Sequence, residues 1–495
     1  RAPELSGAAI LRGSLDVLVA MWIMLAALGI GRWIVGRLRP AGLGQLEELV
    51  FGVALGLGTL ALTVLLLGLA GFLQRPLLLG LLLSLTLLTL RGNLTFLRSL
   101  SLPRPKLLVA LLLLATLFLA LTMALLPQTS WDGLFYHLTG PALYLEQGAI
   151  RPGPDIPHLN FPSLMEMNFL LAMTIRSDTT AVLLHLAFAL LLTGLVFVMA
   201  RTLLAVKNGW LAVLFLLSIP MVYSLAGWAY SDLALAFFQV GALHALLRWR
   251  GRSRDDLGDM ATERGWRERL RGQGWLIMAG LLCGLAMGVK YTSFVGPLAL
   301  LVLLLWWGRK DLKGVIWPAA VLLGVAALVA SPWYIKNLAF TGNPVYPFVF
   351  GGRDWDSFRA ASYAESGTGI GYDRTDCAPG AAEHLVGQHA QGCRLSLTHL
   401  ARRLATLPYD LTLGIRDASR DGDTGPLILL FLPLLVGYAL FRLGGRRPPG
   451  FNALIIFALA QYLFWMLGAV VSASLWQSRL LLPALVALCP AMAWI

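Results

Sequence analysis

The sequence predicts an all-α polytopic membrane protein, and three observations carry that expectation. The 495-residue chain is 58% apolar and only 13% charged, with a mean hydropathy of +0.73. Its apolar runs recur at roughly 18 to 22 residues, the length a helix needs to cross about 30 Å of hydrocarbon. Its basic residues gather in short connectors between those runs, as orientation by positive charge requires. The net charge of +13 therefore reads as topology, and no nucleic-acid partner is expected.

Taken in order, apolar runs fall near 15–36, 49–73, 77–91 and 107–126. The first is too long for a signal-peptide core and leads straight into further runs, so it is expected to stay as a helix. The connector 91–106 carries Arg91, Arg98, Arg104 and Lys106 and no acid, which places it in the cytoplasm and the polar segment around Asp132 outside. Further runs lie near 178–200, 209–229, 232–248, 273–291, 294–308, 314–332, 425–442, 452–472 and 480–495. The last reaches Ile495 still apolar, as expected of a chain that continues.

The run 161–175 is about 15 residues long and is interrupted by Glu166 and Asn168, short of a full crossing. A full crossing would also move the Arg-rich loop 250–271 outside. A re-entrant or interfacial helix is expected there, giving about thirteen full spans in the plasma (inner) membrane. The chain divides into an N-terminal transmembrane bundle (1–106), a core (107–332) whose first extracytoplasmic loop is 127–177, an extracytoplasmic lobe (333–424) and C-terminal helices (425–495). The lobe holds Cys377 and Cys393, which outside the cytoplasm are expected to pair as a disulfide worth about 3 kcal/mol in the chain-entropy model.

This topology collects polar side chains from separate segments at the outer ends of the spans. Asp132 and His137 follow one helix, His158 and Asn160 precede the short one, and Asp232 opens another. Lys290 and Tyr291, Lys336 and Asn337, and Gln477 and Arg479 join them. Cations that merely set topology belong on the cytoplasmic side, so three on the outer face need another reason. A carboxylate can act as general base toward a hydroxyl, and cations stabilise the charge that builds on a departing phosphate. Asp132 fits the base, and Lys290, Lys336 and Arg479 fit the phosphate clamp. A phosphate-bearing substrate whose tail stays in lipid suggests a polyprenyl-phosphate sugar. The scattered glycines have neither P-loop nor dinucleotide spacing, so ATP and NAD chemistry are not expected.

The ordered motifs WDGLFYHL, PALYLEQGAI, NFPSLMEMNFLL, AYSDLALAF, GLAMGVKYTSF, PWYIKN with TGNPVYP, and SRLLLP resemble bacterial GT-C class membrane glycosyltransferases. More narrowly they resemble the branch of protein O-mannosyltransferases and the aminoarabinose transferase of lipid A, over roughly 107–495. The resemblance implies an essential Asp in the first extracytoplasmic loop, which maps onto Asp132. It also implies a polyprenyl-phosphate sugar donor and a glycan, lipid or protein acceptor. The mannosyltransferase branch places Glu directly after that Asp, whereas Gly133 stands here, which puts a paired-acid or metal role in doubt. No cofactor is assigned, and a divalent cation stays open: Asp132 and His137 are five apart, not the three or four that align ligands on an α-helix.

Asp132 is thus expected to activate an acceptor hydroxyl in an inverting transfer. His137, His158, Asp232, Lys290, Tyr291, Lys336, Asn337 and Arg479 are the candidate substrate contacts. Two rivals differ in kind. A lipid or solute transporter would show inverted repeats, which the sequence lacks; a non-catalytic scaffold within a membrane complex would keep the helices and disperse the site.

Overall fold

The structure is a computed structural model that describes residues 7–152, 156–251, 272–357, 359, 396–413, 424–441, 448, 450–471, 475 and 477–495. Among these residues every regular element is helical. The long helices are α1 (Gly7–Leu38), α2 (Gln45–Leu69), α3 (Arg75–Ser99) and α4 (Leu107–Leu125). The short α5 (Thr139–Gln147) and α6 (Leu164–Ile175) precede α7 (Asp178–Leu203), α8 (Trp210–Leu217), α9 (Pro220–Ala226) and α10 (Asp232–Arg250). Next come α11 (Gly274–Val289), α12 (Val295–Trp307) and α13 (Lys313–Thr341). The chain finishes with α14 (Leu397–Leu413), α15 (Pro426–Phe441), α16 (Phe451–Val471) and α17 (Leu482–Trp494).

Local chemistry explains where helices begin. The Glu47 carboxylate reaches back to the Gly44 N–H at 2.8 Å, supplying the acid half of a capping box for α2. Ser177 caps α7 by accepting from the Thr180 N–H at 3.1 Å. The same turn is stapled to α1, because Asp16 Oδ1 accepts from Arg176 Nε at 3.0 Å, Ser177 Oγ at 2.8 Å and Thr180 Oγ1 at 3.1 Å. A carboxylate at membrane depth is costly unless paired, so these three donors account for Asp16 within an apolar helix. Helices α1 and α2 approach with small residues between them. A Cβ built on Gly31 would lie 1.7 Å from the Gly52 carbonyl oxygen, and one on Gly56 would lie 1.8 Å from that of Ala27.

Among the described residues seven helices are long and apolar enough to cross a membrane, namely α1, α2, α3, α4, α7, α13 and α16. Shorter apolar helices accompany them, and the protein is a multi-pass membrane protein. The expected count of thirteen full spans is not confirmed. The run 209–229 is broken by Pro220, whose ring cannot continue α8 and instead opens α9. Helix α3 runs on through Arg98, which narrows the expected basic connector to residues 100–106. Helix α13 likewise continues past residue 332 to Thr341, with Pro332 inside it, before Gly342 (φ +76°) ends it. The short α6 does not lie at a surface: ten of its 12 residues are buried, packed against α2, α5 and α7. Within the expected lobe, Leu397–Leu413 forms an amphipathic helix, and Cys377 and Cys393 lie outside the described residues.

Candidate active site

Asp132 is carried on a short segment that the next turn of the bundle clamps. Gln128 donates to the Gly227 carbonyl at 3.0 Å and accepts from the Ala229 N–H at 3.0 Å, tying the segment after α4 to the α9–α10 turn. From Gly133 to His137 the backbone then winds as a π-helical turn, closed by the Leu138 N–H on the Gly133 carbonyl at 2.9 Å. A π turn closes on i→i+5 bonds, so a spacing of five brings side chains to one side where an α-helix would not. His137 accordingly lies within the electrostatic reach of Asp132.

The short 3-10 turn Ser478–Leu481, which leads into α17, supplies the counter-charge. Arg479 Nη2 donates to Asp132 Oδ2 at 2.5 Å, while Gln477 Oε1 accepts from Arg479 Nε at 3.0 Å and from Nη2 at 2.8 Å. The guanidinium also lies over the Tyr230 ring, 4.7 Å from its centre. Tyr136 donates its hydroxyl to Asp132 Oδ2 at 3.4 Å. Burial pushes the Asp132 carboxyl up, but the charge and hydrogen bond of Arg479 outweigh it, with Lys290 and His137 adding, so the carboxyl is held below its ordinary value.

A second pair stands beside the first. Lys290 Nζ donates to both oxygens of Asp232 at 3.1 Å each, and Asp232 also lies in the field of Arg479 and His137. Two carboxylates and two cations from four segments of the chain thus form one charged cluster. His158 stacks on Tyr136 with ring centres 4.6 Å apart. Burial pulls the His158 imidazole down to about 4, with Asp132 opposing and His137 and Lys290 reinforcing, so the ring is neutral near pH 7.

Three of the expected contacts play a different structural part. Lys336 Nζ donates to the Leu159 and Phe161 carbonyls at 3.3 and 3.5 Å, which holds the 157–161 segment carrying His158. Asn337 donates to the Tyr291 hydroxyl at 2.7 Å, and that hydroxyl donates to the Tyr346 carbonyl at 3.1 Å. These residues brace the loops around the charged cluster rather than entering it.

Two side chains were not singled out from sequence. Glu166 registers there only as an interruption of an apolar run, yet its Oε1 is 2.5 Å from His137 Nδ1, with both side chains buried. His185 is fully buried in α7; its Nδ1 donates to the Leu225 and Trp228 carbonyls at 2.9 and 2.8 Å, and its Nε2 accepts from the Leu233 N–H at 3.2 Å. It therefore orients the turn that presents Asp232. The signal for both was ionisable character inside an apolar run. Among the described residues no group of three or more His, Cys, Asp or Glu side chains is arranged to hold a metal.

An all-helical, multi-pass architecture with paired charges at one end of its helices defines a membrane protein with a polar reaction or binding site. Within it, residues 174–343 match the family model of dolichyl-phosphate-mannose-protein mannosyltransferase, a GT-C type domain, so the resemblance drawn from the sequence motifs holds over that segment. Asp232, Lys290, Tyr291, Lys336 and Asn337 lie inside the matched segment, whereas Asp132, His137, His158 and Arg479 lie outside it. No curated protein and no solved structure matches the chain.

Proposed function

We propose that the protein is a GT-C type membrane glycosyltransferase that moves a sugar from a polyprenyl-phosphate donor to an acceptor hydroxyl on the extracytoplasmic face, with inversion. The observation that carries this reading is the direct contact of Asp132 with Arg479 beside the Asp232–Lys290 pair. The match to a family named for a lipid-phosphate mannose donor and a protein acceptor supports the donor class. The acceptor is a glycan, a lipid or a protein.

In the proposed step Asp132 takes the proton of the acceptor hydroxyl as its oxygen bonds to the anomeric carbon. The bond from that carbon to the phosphate oxygen breaks, and polyprenyl phosphate leaves with one more negative charge. Proton uptake neutralises the carboxylate that holds Arg479, so the guanidinium becomes available as charge builds on the phosphate. Lys290 supports the same oxygens. Asp232 holds Lys290 and meets the sugar together with His158, and His137 lies beside them. Lys336, Tyr291 and Asn337 position the flanking loops.

The test is consumption of a radiolabelled polyprenyl-phosphate sugar by the purified chain in proteoliposomes. Asp132→Asn should abolish consumption while donor binding and folding are kept. Retained turnover in that variant would sink the base assignment, and no consumption by the wild-type chain with any sugar would sink the reading.

A further inference from the structure

A cavity of about 600 Å³ lies at the end of the bundle opposite Asp132. Its walls include the start of α2, the connector after α3, the end of α7 and the start of α8. Helix α10 sets the separation: it begins at Asp232 and runs 19 residues, roughly 28 Å at 1.5 Å per residue, to Arg248 and Arg250 near the cavity end. Helices α2 and α7 are both candidate spans, so the cavity sits where spans meet the interface.

Three cations from separate segments line it: Arg104 from the connector, Arg201 from α7, and Lys207 from the α7–α8 loop. Two cations near it are engaged by carboxylates, Arg32 by Glu48 at 2.7 Å and Arg248 by Glu47 at 3.4 Å. Among the described residues no carboxylate lies within ion-pair distance of Arg104, Arg201 or Lys207. The one acid in the lining, Glu47, is engaged by the Gly44 N–H, by His244 Nε2 at 2.8 Å and by Arg248. The described residues lining the cavity therefore carry a net positive charge.

The walls are fixed by bonds of their own. Gln45 pins the connector by donating to the Ser99 carbonyl at 3.2 Å and accepting from the Ser101 N–H at 3.0 Å. Arg201 closes its loop through the Val206 and Lys207 carbonyls at 3.4 and 2.5 Å. Phe197 and Trp210, ring centres 4.8 Å apart, give an apolar and amphipathic side suited to the boundary between acyl chains and headgroups.

We propose that this cavity binds the phosphate headgroup of an anionic membrane lipid, separately from the transfer site. The location commits the source: a basic recess between span ends meets lipid phosphate at the depth where headgroups lie.

The test uses the purified protein in detergent, with retained lipid counted by native mass spectrometry. Probes are phosphatidylglycerol and phosphatidylcholine of matched acyl chains, with inorganic phosphate as a separate ligand. The wild-type chain should retain phosphatidylglycerol in preference. Arg104→Gln with Lys207→Gln, neither of which anchors a wall, should weaken that retention about thirtyfold, from about 1 kcal/mol per surface cation. A control removing the same charge from the α12–α13 turn and the first residue of α13, Lys310→Gln with Lys313→Gln, should leave it unchanged. Equal retention of the two lipids, no loss in the cavity variant, or equal loss in the control would overturn the proposal. Stabilisation by inorganic phosphate without preference for phosphatidylglycerol would overturn the lipid source.

Discussion

Asp132 and Arg479 are 347 residues apart in the chain and 2.5 Å apart in space. The contact joins the segment after α4 to the turn just before α17, and the two side chains are 19% and 4% exposed. Its partner holds that carboxyl below its ordinary value, against the upward push of burial.

That dependence predicts a pH signature. If the rate requires ionised Asp132, the acid limb of the pH–rate profile follows its carboxyl. Arg479→Gln removes the largest lowering influence while burial still pushes the carboxyl up, so the acid limb should move to higher pH. Arg479→Lys keeps the charge but loses the guanidinium fork, and should fall between the two. Turnover of polyprenyl-phosphate sugar measured from below pH 4 up to pH 8 reads it; an acid limb that stays put in Arg479→Gln would separate Asp132 from proton transfer.

The second pair predicts an asymmetric cost. Asp232 is 1% exposed, so Lys290→Met leaves a buried carboxylate without its cation and should cost about 3 kcal/mol or more. Adding Asp232→Leu removes the stranded charge and should restore much of that stability. The double variant should stay inactive if Lys290 serves the phosphate. Unfolding of the four members of the cycle in detergent gives the coupling, and strictly additive effects would show that the pair does not act as a unit.

Parts of this arrangement were legible in the sequence for a physical reason. Cations expected at the outer ends of spans break the rule that basic residues mark the cytoplasmic side, so Lys290 and Arg479 stood out, as did Asp132 at a helix exit. Lys336 broke the same rule, but its side chain turns to the Leu159 and Phe161 carbonyls, and nothing in the pattern encodes that direction. His137 could not be placed because spacing was judged on an α-helical turn, while the backbone there is π-helical. Helix lengths were less legible than helix positions. Hydropathy marks where lipid or core contacts a helix, and is blind to the continuation of α3 through Arg98.

The buried dyad predicts a tautomer. Glu166 Oε1 accepts from His137 Nδ1, which leaves Nε2 as the open position of a neutral ring or a second donor of a charged one. Nitrogen NMR of labelled protein should report Nδ1 as protonated. Glu166→Ala strands that N–H and should cost about 1–3 kcal/mol, whereas Glu166→Gln keeps an acceptor and should cost less. A ring protonated only at Nε2 would contradict the arrangement.

The tight crossing of α1 and α2 predicts that two glycines in the same bundle respond oppositely to one methyl group. A Cβ on Gly56 would sit 1.8 Å from the Ala27 carbonyl oxygen, a backbone atom that cannot move aside alone, so the helices must separate. Gly36, further along α1, has open space around the same position. Gly56→Ala should therefore destabilise by about 1–3 kcal/mol through overpacking, and Gly36→Ala should be neutral or gain up to about 1 kcal/mol of helix propensity. The separation should travel, because the far end of α2 is joined to the loop before the charged cluster: the Ile150 N–H donates to the Gly68 carbonyl at 2.8 Å. Thermal unfolding in detergent compares the two variants, and equal stability would mean that α1 and α2 do not pack through these positions.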